Sequence, residues 1–180
     1  MKHSVRAFVC TCSAAFALLQ AAPSQAAWYH FSQGGFSGGG TITGTFDAED
    51  LDGNGQISSW AGEVSTFTLS FSGDSVVGPF THSFSDLFGL IYDLGSGFLG
   101  DGLDGDGEGI ASNYQNAFGI EYISGQSFFL PYLGSVTDLA TGAISTTDTL
   151  VSVTQVPEPG SLALALAGIA LLATRARRKA

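Results

Sequence analysis

Between Trp28 and Val153, apolar and polar residues alternate with a period of two far more often than with a period of 3.6, which predicts strands rather than helices. In "EVSTFTLSFSG", Phe67, Leu69 and Phe71 share one face while Thr66, Thr68 and Ser70 share the other, as in a half-buried antiparallel strand. The runs "GTITGTF", "SVVGPFTHSF", "LFGLIYDL", "NAFGIEYI", "QSFFLPYL" and "ISTTDTLVSVT" repeat the theme: aromatic and β-branched residues, divided by Gly, Asp, Asn and Ser. About seven or eight such strands, spaced roughly ten residues apart, predict an all-β fold: a single β-sandwich or jelly-roll-like domain. Pro79 and Pro131 are expected at edges or bulges, because proline cannot donate to a ladder. No stretch of this body predicts a helix longer than two turns, and "FSQGGFSGGG" reads as a flexible or tightly turned segment.

The flanks have a different pattern. Lys2 and Arg6 precede the apolar stretch "AFVCTCSAAFALL" and the small-residue site "SQA", so residues 1–26 read as a secretory signal peptide cleaved between Ala26 and Ala27. The stretch is too short to span a bilayer, and Pro23 with small polar residues follows it instead of cations. Both cysteines, Cys10 and Cys12, fall inside this signal without a lipobox. The processed chain then has no thiol, which excludes disulfides, cysteine zinc sites and a cysteine nucleophile. The body, residues 27–155, draws on a sequence that is 44% apolar with 14 Phe, enough for one packed core. All six Lys and Arg lie outside this body, whereas all of the 16 Asp and Glu except Glu158 lie within it. A surface of that sign is repelled by nucleic acid and anionic lipid, and attracts divalent cations or basic partners.

Residues 156–180 read "VPEPGSLALALAGIALLATRARRKA". Pro157 and Pro159 fix φ and push Val156 and Glu158 toward extended conformations, so "VPEP" is a presented, strand-like handle. The apolar run over residues 160–174 would make a helix of about 22 Å against a hydrocarbon core of about 30 Å, a weak span. Arg175, Arg177, Arg178 and Lys179 form a basic stub over residues 175–180 that stays on the cytoplasmic side and snorkels to lengthen the span. Handle, short apolar helix and cation cluster in this order resemble the PEP-CTERM sorting signal of Gram-negative bacteria, also catalogued as an ice-binding protein C-terminal domain. The resemblance covers only these residues. It implies recognition of Pro157, Glu158 and Pro159 by an exosortase, a multi-pass membrane protease, and delivery to the cell surface or the exopolysaccharide matrix from a membrane-anchored precursor. An ordinary single-span anchor is the plainer alternative, and it too predicts an exported passenger.

Within the body, "DLDGNGQISSWAGE" places Asp50, Asp52 and Asn54 at positions one, three and five of an EF-hand-type loop, with Gly55 at the sharp turn and Ile57 at position eight. Gln56 offers a carbonyl, and Ser58 a bridging water. Position twelve is Ala61, with Glu63 two residues further on, and the preceding run is a strand rather than an entering helix. A calcium loop and a plain Asx-rich turn both satisfy this pattern. The second acidic stretch, with Asp101, Asp104, Asp106 and Glu108 on a glycine backbone, reads as a solvated hairpin loop before it reads as a cation site. His30 and His82 fall in alternating aromatic contexts that suit structural roles, and no nucleophile elbow, zinc-protease pair or phosphate loop is present. Core packing accounts for Trp28 and Trp60 more simply than stacking on sugars. The sequence thus predicts an exported surface or exopolysaccharide-matrix protein with a structural or adhesive role and no enzyme activity. A glycan-binding or glycan-cleaving module delivered by the same tail is the alternative.

Overall fold

The computed structural model describes residues 26–100, 107–125, 133–157 and Gly168. Twelve strands run through these residues: β1 (Ala27–Gln33), β2 (Ile42–Ala48), β3 (Gln56–Ser58), β4 (Val64–Phe71), β5 (Phe80–Ser83), β6 (Leu87–Asp93), β7 (Phe98–Leu99), β8 (Gly109–Ser112), β9 (Ile120–Ser124), β10 (Gly134–Asp138), β11 (Ile144–Thr147) and β12 (Val151–Val156). They form two six-stranded sheets, ordered β5-β4-β2-β1-β12-β7 and β11-β10-β9-β8-β6-β3. Every pairing is antiparallel. The fold is an all-β sandwich, and its only helical pieces among the described residues, Gly168 aside, are 3-10 turns at Ser59–Ala61 and Phe84–Asp86.

Alternation decides which face each strand buries. In β1, Ala27, Tyr29, Phe31 and Gln33 turn inward while Trp28 and His30 turn out; β4 buries Val64, Phe67, Leu69 and Phe71. Phe31 is fully buried and stacks on Phe67 with ring centroids 5.8 Å apart. Tyr29 stacks on Phe46 at 4.8 Å and meets Tyr92 of the facing sheet edge-on at 5.6 Å. Aromatic pairs of this geometry contribute about 0.5–1.5 kcal/mol each beyond the area they bury. Gly44 makes room for this stack: a Cβ there would lie 2.2 Å from the Phe31 ring and 2.3 Å from the Thr68 carbonyl.

One polar clasp crosses the interior. Gln33, at the inner end of β1, donates from Nε2 to the carbonyls of Leu133 (3.2 Å) and Thr149 (2.7 Å), and its Oε1 accepts from the hydroxyl of Tyr122 in β9 at 2.8 Å. Burial pushes the Tyr122 phenol far above its ordinary pKa, so it stays a protonated donor. A second link joins the edge strand of one sheet to an inner strand of the other, where Nδ1 of His82 in β5 lies 2.8 Å from Oγ of Ser112 in β8. Burial holds the His82 imidazole below its ordinary pKa, against the opposing pull of Asp86 and the Ile120 backbone.

Several expectations change. The strands outnumber the seven or eight expected, because β3, β7 and β8 are two to four residues long, too short to show an alternation. The run "ISTTDTLVSVT" divides between β11 in one sheet and β12 in the other; a chain crossing between sheets keeps the same period on both sides. Of "SVVGPFTHSF" only Phe80–Ser83 is strand, and Pro79 directly precedes this edge strand, as expected. Pro131 and most of "QSFFLPYL" lie outside the described residues, as do residues 1–25 and the apolar run over 160–174 apart from Gly168. No helix of the described residues is long and apolar enough to cross a membrane.

The clasp gives a stability prediction. Tyr122→Phe removes one hydroxyl and leaves the buried Gln33 Oε1 without its partner, which costs about 1–3 kcal/mol. Urea unfolding should show a lower midpoint at unchanged slope; an unchanged midpoint would mean the clasp is not a net contributor.

Candidate functional site

The two predicted processing points are neighbours in the fold. β12 ends at Val156, and Val156 pairs with Trp28, the second residue of β1. Ala26 is exposed, Ala27 opens β1, and Pro157 follows β12 directly with its side chain exposed. The strand therefore runs one residue past the expected domain boundary at 155. Among the sorting residues, Glu158, Pro159, Arg175, Arg177, Arg178 and Lys179 lie outside the described residues.

The acidic loop sits at this same pole. Trp28 is flanked by Val156 on one side and by Asp47 of β2 on the other, and Ala48 pairs in turn with Ala27 and Val64. The Glu49 N–H donates to the Glu63 carbonyl at 2.9 Å, adding one more rung beyond the strands. From there the chain crosses to the second sheet as β3, pairs with β6, and returns through the 3-10 turn Ser59–Ala61 to β4. Asp50 lies close enough to Tyr29 that, after burial and Tyr92, its charge also raises the Tyr29 hydroxyl pKa.

Carboxylate oxygens of Asp50, Asp52 and Glu63 converge within 4.8 Å of one another. Asp50 accepts the N–H groups of Gly53 (2.8 Å), Asn54 (3.2 Å) and Gly55 (2.9 Å), and Asp52 accepts that of Asn54 at 3.0 Å. Glu63 is buried and accepts Leu51 N–H at 2.9 Å on one oxygen and Ser58 N–H at 2.8 Å on the other. Glu63 thus joins the cluster despite standing two places beyond the usual twelfth position, because the 3-10 turn and the left-handed Gly62 (φ 79°) take up the extra length. The remaining predicted ligands are turned to other work. Asn54 accepts Gln56 N–H at 2.7 Å and donates to Asp52 at 3.1 Å; the Gln56 amide donates to Asp93 at 2.8 Å; Ser58 offers its backbone N–H to Glu63. A carboxylate oxygen that accepts one or two N–H groups keeps the loop in shape and still presents electron pairs to a hard cation.

In the second acidic stretch, Asp101, Asp104 and Asp106 lie outside the described residues. Glu108 corrects the expectation of a solvated loop: it is 2% exposed and accepts Asp93 N–H at 3.1 Å and Gly100 N–H at 3.0 Å. Two backbone donors repay burial of the charge and pin the base of the loop. Core packing of the tryptophans is corrected too. Trp28 is 45% and Trp60 62% exposed. The Trp60 indole N–H donates to the Phe88 carbonyl at 3.0 Å. Its ring lies over Gly89 and meets Phe88 edge-on at 6.5 Å, and Phe88 meets Tyr114 at 4.9 Å. The only local signal for this surface chain of rings is the glycine inside "LFGLIYDL", where a side chain would have blocked the indole.

No curated protein and no solved structure matches the chain. One family does, over residues 155–179: the PEP-CTERM protein-sorting motif. The match begins inside β12 and continues through the handle, the apolar run and the cations. The chain therefore carries a PEP-CTERM protein-sorting motif, the mark of an exported protein sorted by an exosortase toward the cell surface or the exterior.

Proposed function

We propose that the protein is a structural or adhesive component of a bacterial cell surface or exopolysaccharide matrix, without catalytic activity, processed at both flanks of one β-sandwich. The sorting match over residues 155–179, starting within β12, the last strand of the sandwich, carries this reading. The signal peptide exports the chain and is cut between Ala26 and Ala27. The marginal apolar span over residues 160–174 then holds the precursor, with Arg175, Arg177, Arg178 and Lys179 on the cytoplasmic side. Pro157 and Pro159 keep the intervening backbone extended for a protease cleft, and cutting there releases the sandwich from its anchor.

The acidic loop fits a divalent cation in this setting. Asp50, Asp52 and Glu63 would hold it, with the Asn54, Gln56 and Ser58 positions completing the loop around them. Bound calcium would screen the repulsion among three carboxylates and lock the crossover between the sheets, a cross-link for a chain without thiols.

The exposed rings of Trp60 and Phe88, continued by the half-buried Tyr114, support a second reading, in which the same exported domain binds glycans. Rigid aromatic faces on an anionic surface suit a neutral or basic polysaccharide, and favour holding it over cleaving it. Retention on purified exopolysaccharide, measured beside its hydrolysis, separates a binding module from a cleaving one.

Two outcomes follow. Replacing Pro157, Glu158 and Pro159 together by Ala should leave full-length precursor in the membrane fraction of cells that possess the exosortase, with little or none on the surface; normal release of the triple variant would refute recognition of the handle. Calcium should bind with a dissociation constant of about 0.1–1 mM, the range of extracellular modules. At ten times that concentration it stabilises the fold by about 1.4 kcal/mol, a rise of a few degrees in melting temperature. Magnesium should do less, since it demands a tighter octahedron. Equal shifts from both ions, or a calcium shift that survives Asp52→Ala and Glu63→Gln, would reduce the loop to an acidic turn with general charge screening.

A further inference from the structure

The pole where the chain leaves the sandwich carries an exposed apolar set. Trp28 and Val156 are cross-strand partners on the outer face and each is 45% exposed. Leu51, in the loop that extends past them, is 62% exposed. Only residues 157–159 separate β12 from the apolar run that begins at residue 160. Three extended residues span about 10 Å at most. The headgroup zone on each side of a bilayer is about 5–8 Å deep. A helix over residues 160–174 is moreover about 8 Å shorter than the hydrocarbon core, a mismatch relieved by drawing its flanking residues into the interface. Snorkelling cations absorb part of that deficit on the far side; on the near side the flanking structure is the sandwich itself. Before signal cleavage, residues 1–25 attach at this pole as well, through Ala26, two residues ahead of the Trp28–Val156 pair.

We propose that in the precursor this pole is a lipid-contacting face, with Trp28, Val156 and Leu51 at headgroup level in the leaflet that the sorting segment enters. The inference rests on the reading that residues 160–174 insert. Tryptophan is the side chain that best suits such a position, with an apolar body and one N–H donor for the wet side. The contact stands the sandwich upright over its own processing site and points the opposite pole, with the exposed Val76 in the β4–β5 connection, away from the membrane. Asp50 and Asp52 at the same pole oppose close approach to anionic lipid, so the face suits zwitterionic headgroups.

The test uses the full chain after signal removal. It has no cysteine of its own, so a single environment-sensitive fluorophore can be placed at Leu51→Cys or at Val76→Cys, both exposed loop positions. Each labelled chain is reconstituted into phosphatidylcholine vesicles containing lipid brominated near the headgroup, and flotation reports insertion. The expected result is that both chains float, that bromine quenches the Leu51 label by about half or more, and that it leaves the Val76 label nearly unchanged. Inserting about twelve Gly and Ser residues between Val156 and Pro157 should keep flotation and relieve most of the quenching. Chains that float with equal quenching at both labels, or with none, overturn the face while sparing the insertion. Chains that do not float overturn both. Protection of the Leu51 label only in membranes that contain the exosortase would assign the pole to the enzyme and overturn the lipid contact.

Discussion

Everything else in this molecule is arranged around the pairing of β1 with β12. The first and last strands lie side by side within one sheet, in register from Trp28 opposite Val156 to Ser32 opposite Ser152. An antiparallel pair at that position brings the start of one strand and the end of the other to the same pole. The two predicted processing points are therefore neighbours without any dedicated feature to bring them together. β7 pairs with β12 only at Val151 and Ser152, so Gln155 and Val156, the first residues of the sorting match, are held in the sheet by β1 alone. On the proposed reading, the protease meets a handle that begins where the ladder ends, at Pro157.

That arrangement also explains where the acidic loop falls. β2 and β4 continue the β1 ladder outward, and the crossover between them has to pass from one sheet to the other at the pole where the chain leaves. Crossing there costs backbone hydrogen bonds. Carboxylates repay it: Asp50, Asp52 and Glu63 accept backbone N–H groups that no strand can reach. The cluster proposed to hold a divalent cation is the same set of groups that shapes the turn, so a bound metal would tighten this loop rather than build it.

The sequence made the strands legible where they were long and one-sided. From Thr66 to Phe71, β4 follows its alternation residue by residue. The partners of those strands were not legible, because β1 and β12 come from opposite ends of the domain and carry no local mark of each other. Asp50 and Asp52 stood out by spacing. Glu63 entered the cluster only through a 3-10 turn that adds two residues to the usual loop. Glu108 read as solvated because the Asp93 and Gly100 N–H groups it accepts come from β6 and from the Gly100 turn, which sequence does not place beside it. Trp60 read as core because aromatic content alone cannot tell an inward ring from one laid across an outer face over Gly89. The sorting motif was legible in full because order and spacing along one short segment define it.

The central claim is that the sandwich is released from its membrane segment at the edge of β12. Intact mass spectrometry of the wild-type protein recovered from the cell surface and matrix tests it most directly. The account predicts a chain that begins at Ala27 and ends within a few residues of Pro157, with the sandwich whole. A surface-borne protein that still carries the apolar run and "TRARRKA" would contradict it.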